Sequence, residues 1–96
     1  MQRITEKQLE SLVTLINEIT GSPLTPYSRD ENGNLKGNIG NYHLSHAYGG
    51  VNVHRMVNHG GGINCPINHG YVTKRELYNA MHAYIRGLEH TKREAA

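Results

Sequence analysis

The chain of 96 residues contains no Phe and no Trp, and a single cysteine, Cys65. One cysteine rules out an intrachain disulfide, so nothing but packing and hydrogen bonds can staple the fold. Large core-forming residues are scarce too: only 36% of the residues are hydrophobic, and all six aromatics are Tyr. A chain this short has a modest core at best. Tyr carries a hydroxyl that needs a partner when buried. A thin, hydroxyl-rich core therefore predicts extra burial through a homo-oligomer. No apolar run approaches membrane-spanning length, so a membrane partner is not expected. No signal peptide is legible, which predicts a cytoplasmic protein. The formal net charge is only +2. The basic residues are scattered, with one pair at Lys74 and Arg75. That is too sparse for the basic stripe of a dedicated nucleic-acid binder.

Two helices are signalled, one at each end. Thr5 and Gln8 make a capping box, and Ile4 with Leu9 a hydrophobic staple. Leu9, Leu12, Val13, Ile16 and Ile19 then recur at helical spacing until Gly21 and Pro23. Helix is expected over about 5–20. The same signals return with Thr73 and Glu76 as the box and Val72 with Leu77 as the staple. Leu77, Met81, Tyr84, Ile85 and Leu88 form the apolar face of a helix over about 73–89. A charged tail, 90–96, is expected to fray.

The region between, about 23–70, is different in kind. Ten of the eleven glycines lie between Gly21 and Gly70. Asn32–Gly33 is a hairpin turn signal, joining a strand near 24–28 to one starting near Leu35. Gly49–Gly50 marks a second turn. Taken as a two-residue loop, it pairs Tyr48 with Val51, His46 with Val53, Leu44 with Arg55 and Tyr42 with Val57. One face then carries Tyr42, Leu44, Tyr48, Val51, Val53 and Val57, and should cover the helices. The opposite face carries Asn41, His43, Ser45, Asn52, His54, Met56 and Asn58, and has almost nothing to bury. The fold class expected is α+β, in one domain. Its order is α-β-β-β-α, with one antiparallel sheet of three or more strands packed on both helices.

The polar face is the leading candidate site. Asn41, His43, Ser45, Asn58 and His59 can read hydrogen-bonding edges of a small ligand. Tyr42 and Tyr48 can stack on a base. Arg55 can pair with phosphate. Gly49, Gly50, Gly60 and Gly61 let the backbone approach phosphate closely. The ligand that suits this set is nucleotide-like.

A zinc site is a lesser expectation. His54, His59, Cys65 and His69 are zinc-binding types, but their spacing matches no known pattern and a second cysteine is missing. A ββα-metal nuclease, with His54 as base and His82 as ligand, lacks a nearby acidic ligand. No catalytic residues are assigned. Ser45 opposite His54 lacks an orienting acid, and Cys65 lacks a base.

The stretches 38–45 (NIGNYHLS), 47–50 (AYGG), 54–56 (HRM) and 74–79 (KRELYN) resemble a family of small accessory proteins of tailed bacteriophages and prophages. The likeness runs from Ile4 to Leu88 and assigns no residue a role. It implies action in the cytoplasm of an infected bacterium, against host defences or on host machinery. One class of such proteins sequesters immune signalling nucleotides in symmetric oligomers. A non-catalytic nucleotide sponge is thus the expected function. The alternative is a protein–protein inhibitor of a host defence or replication enzyme.

Overall fold

A computed structural model describes residues 3–95. The order is α1 (Glu6–Thr20), β1 (Tyr27–Arg29), β2 (Leu35–Gly37), β3 (Tyr42–Ala47), β4 (Gly50–Met56), β5 (Ile63–Asn64) and α2 (Lys74–Ala95). The fold is α+β. The strands form two antiparallel sheets, β1-β2 and β3-β4-β5, in place of the single sheet expected. Side by side they spread the chain into a plate of 49 × 40 × 22 Å. No helix among the described residues is long and apolar enough to cross a membrane.

Both helix starts follow their capping signals. The Thr5 hydroxyl accepts from the Gln8 N–H, and the Gln8 side chain accepts from the Thr5 N–H. The staple closes too, since Ile4 and Leu9 are both buried. Gly21, at φ 67°, ends α1 in the left-handed conformation, which glycine reaches at little cost. At the start of α2, the Thr73 hydroxyl accepts from the Glu76 N–H and donates to the Glu76 carboxylate. This helix does not stop near residue 89 as expected but continues to Ala95. Residues 89–95 contain no Gly or Pro to end it, and the Thr91 hydroxyl bonds back to the Gly87 carbonyl.

The core is one cluster. Leu9, Val13 and Ile16 of α1 meet Leu77, Met81 and Ile85 of α2 against Tyr42, Val51 and Val53 of the sheet. Tyr42 solves its hydroxyl problem with Tyr84: the two hydroxyls share a hydrogen bond of 2.8 Å. Burial and that bond push the Tyr84 hydroxyl up to about 12.

The central hairpin turns one residue earlier than expected. Ala47 pairs with Gly50, and Tyr48–Gly49 form the loop, at φ 54° and 74°. Two positive-φ residues are what a tight hairpin turn needs. The reason lies outside the hairpin. A Cβ on Gly50 would sit 3.0 Å from the Val72 carbonyl oxygen and 3.1 Å from Tyr71. The one residue without a Cβ is therefore required inside the ladder, under the returning chain, and Tyr takes its place in the turn. Moving the turn by one residue shifts each pairing by two: Tyr42 faces Arg55, His43 faces His54 and Ser45 faces Asn52. A two-residue shift keeps every side chain on its expected face. The exception is Tyr48, which leaves the ladder and is 97% exposed.

The first hairpin also differs from expectation. Asn32–Gly33 is part of a five-residue loop between Arg29 and Leu35. The Asp30 carboxylate organises it, accepting from the N–H groups of Asn32 and Asn34.

Candidate functional site

The outer face of β3 and β4 is not the open platform expected. Segment 57–73 folds back across it, through β5 and through a bridge between Val51 and Val72. Met56, on this face, is fully buried, and a Cβ on Gly37 would touch its sulfur. Asn52 is buried as well. Its carbonyl oxygen accepts from the Val53 N–H, and its amide donates to the Asn68 carbonyl. Buried polar side chains of this kind satisfy backbone groups that no strand reaches.

The expected site residues consequently separate into four groups, the last of them at the hairpin tip. Asn41 and Tyr42 are buried and committed to the fold. The Asn41 amide donates to the Pro23 carbonyl, and Tyr42 lies in the core with the Arg55 guanidinium 5.9 Å from its ring. Neither is available to stack on or read a ligand. Arg55 pairs with Tyr42 at the end of the hairpin away from the turn, so it cannot share a phosphate with Gly49–Gly50.

The second group is a covered histidine cluster. His43 and His54 face each other edge to face at 5.9 Å. The His43 Nδ1 shares a hydrogen bond with the Asn41 side-chain Oδ1, and the Tyr71 hydroxyl reaches both Ser45, at 2.9 Å, and His54. Burial holds His43 below the usual imidazole value, and the neighbouring His54 adds to it; burial does the same for His54. Lowered values mean that the unfolded chain takes up protons before the folded one does. The stability these residues contribute is therefore complete above their ordinary value of 6.5 and is lost as pH falls from there through their folded values. Urea midpoints should drop between pH 7.5 and pH 5. The drop should flatten in the His43→Gln, His54→Gln double variant. An equal drop in that variant would place the acid sensitivity elsewhere.

The third group lies around the segment after β4. Asn58, His59, Gly60 and Gly61 form a tight turn there. The Asn58 side-chain Oδ1 accepts from the Gly62 N–H, and the His59 ring bonds the Gly37 carbonyl, tying the small sheet to the body. These residues line neither the cavity at the hairpin tip nor the groove beside α1 described below. The zinc candidates do not converge: among the described residues, no three His, Cys, Asp or Glu side chains are placed to hold a metal ion. His82, the ligand imagined for a nuclease, instead packs against the Tyr78 ring at 4.5 Å.

What the fold does assemble is at the hairpin tip. The bridge to Val72 brings the start of α2 beside the turn, and a cavity of about 360 Å³ opens between them. Gly49 and Gly50 line it, together with His46, Thr73 and Lys74. Tyr48 stands at the turn itself, its ring 5.8 Å from that of Tyr71. Tyr71, Thr73, Lys74 and His46 were not among the expected site residues. The Lys74–Arg75 pair was visible, but nothing local indicates that Val72 pairs with Val51.

The cavity already has one anion beside it. The Glu6 carboxylate lies 2.7 Å from the His46 Nε2 and 3.9 Å from the Lys74 Nζ. The first turns of both helices thus meet at the tip of the central hairpin. No protein-family model, no curated protein and no solved structure matches this chain.

Proposed function

We propose that the protein binds a nucleotide-type ligand at the hairpin tip and does not turn it over. The observation that carries this reading is Tyr48. It is the only non-glycine residue at positive φ among the described residues, and it is almost wholly exposed. The left-handed conformation costs an ordinary residue about 1 kcal/mol, and strain of this kind concentrates at functional positions. A ring held there contributes nothing to the core. It does offer a stacking surface next to Ala47 and Gly49, which line the cavity, with the Tyr71 ring beside it. Lys74 and His46 on the walls, and the first turn of α2, favour negative charge. A base on Tyr48 and phosphate toward Lys74 use all of these groups.

Sequestration of a defence signalling nucleotide, by a homo-oligomer in the cytoplasm of an infected bacterium, is the biological form of this proposal. It draws on the phage resemblance. Native mass spectrometry of protein purified from bacteria with an activated nucleotide-signalling defence tests it. The expected result is an oligomer carrying extra mass that heat releases as an intact nucleotide. Tyr48→Gly, which relieves the turn while removing the ring, should weaken binding of the released nucleotide about tenfold. Lys74→Glu should weaken it at least as much. A bare mass from the same cells, or release of a cleaved product, would end the proposal.

A further inference from the structure

Strand β3 is an edge of its sheet, which runs β3-β4-β5. Its hydrogen-bonding directions can be read residue by residue. The Asn41 carbonyl accepts from the Met56 N–H across the hairpin. Residues 43, 45 and 47 follow it toward β4, because bonding direction alternates along an antiparallel strand. Tyr42, Leu44 and His46 therefore direct their N–H and C=O groups outward. At Tyr42 a partner is built in. The Asn17 amide donates to the Tyr42 carbonyl at 3.0 Å, and its oxygen accepts from the Tyr42 N–H at 2.8 Å. This one side chain reproduces both bonds that a neighbouring strand would make. At Leu44 and His46 no such substitute is present among the described residues.

A groove of about 320 Å³ runs along this edge. Tyr42, His43, Leu44 and His46 form one wall. Glu6, Glu10, Val13 and Thr14, a single stripe of α1, form the other. We propose that this groove takes an extended peptide segment of a partner protein as an added strand, and that the segment carries basic residues at two alternate positions.

The match is geometric as well as electrostatic. Peptide residues opposite Leu44 and His46 make the backbone bonds. They also point their side chains to the same face as Leu44 and His46, the face that α1 covers. Alternate residues of a strand are about 6.8 Å apart on one face, and carboxylates at i and i+4 of a helix are about 5–6 Å apart at Cβ. Two lysines or arginines spaced in this way come level with Glu10 and Glu6. The two carboxylates repel one another, and no ion pair among the described residues relieves Glu10. A second copy of this chain is a poorer occupant, because it would bring its own Glu6 and Glu10 to the contact. The acidic wall likewise disfavours nucleic acid.

The test uses the full chain and the peptide acetyl-Val-Lys-Val-Lys-Val-amide, followed by amide chemical shifts. Leu44 and His46 should move most. N-methylation of both lysines removes the N–H groups that pair with the strand and should weaken binding about tenfold. N-methylation of the outer valines, whose N–H groups face away, should change it less than twofold. Glu10→Lys should weaken the lysine peptide, and a peptide with Glu in place of Lys should not bind the wild type. Equal effects of the two methylation patterns would overturn the added-strand geometry. Equal binding of the Glu peptide would overturn the charge argument. Concentration-dependent shifts of Leu44 and His46 without peptide would assign the groove to a second copy instead.

Discussion

Replacing Asn17 by leucine is expected to lower the free energy of unfolding by about 3 kcal/mol, although leucine is apolar and close in volume. Asn17 is only 2% exposed, as befits a core residue, yet its surroundings are not purely apolar. It serves both backbone groups of Tyr42, which sits at the sheet edge and is itself buried. Leucine would fill the space and leave one N–H and one C=O without partners in a dry site. Each unmet group costs about 1–3 kcal/mol. Asn17→Asp separates the two bonds. It keeps the acceptor for the Tyr42 N–H, loses the donor to the carbonyl, and places a carboxylate in the core. It should destabilise at neutral pH and partly recover in mild acid, where the protonated acid can donate again. Urea unfolding of both variants measures this. A loss under about 1 kcal/mol for leucine would mean that water reaches the Tyr42 edge.

Gly37→Ala is expected to cost about 2 kcal/mol and to act on one part of the molecule first. An added Cβ would stand 2.7 Å from the Asn58 carbonyl oxygen and 3.0 Å from the Met56 sulfur. The sulfur is the flexible end of a side chain, whereas the carbonyl is backbone, in a turn held by the Asn58 side chain. The Gly37 N–H donates to the His59 carbonyl, and the His59 ring bonds back to Gly37. The methyl group therefore pushes at the joint between the two sheets. A two-stranded ribbon is marginal when it stands alone, and β1 and β2 are each three residues long. Hydrogen exchange should show the amides of β1 and β2 losing protection while those of β3 and β4 keep most of theirs. Uniform loss across both sheets would show that the ribbon and body unfold as one unit.

The two helices were legible because their signals are local. A cap, its partner three residues on and an apolar face at helical spacing all lie within a few turns of one another. The alternation of 42–47 and 50–56 was legible for the same reason, and it assigned the core face correctly. Local sequence points to Gly49–Gly50 as the turn because Gly-Gly satisfies a tight turn as well as Tyr-Gly does, and with less strain. What excludes it is Tyr71 and Val72, some twenty residues away. The polar face looks open in sequence because Asn, Ser and His are mostly solvated residues. Asn17, Asn41 and Asn52 are instead buried partners of backbone groups, and nothing in their local sequence distinguishes the two roles.

Local sequence is enough for the α+β class, the helix starts and the central hairpin, since each depends on residues close to one another along the chain. The tertiary structure alone decided that segment 57–73 returns over the outer face. That return moved the turn, partly covered the expected ligand face and brought Lys74 to the hairpin tip beside Glu6. Pairing of Val51 with Val72 rests on unspecific backbone bonds, and β-branched residues at many positions meet its side-chain requirements. Its position is set by the packing of the whole core, and no short stretch of sequence encodes that.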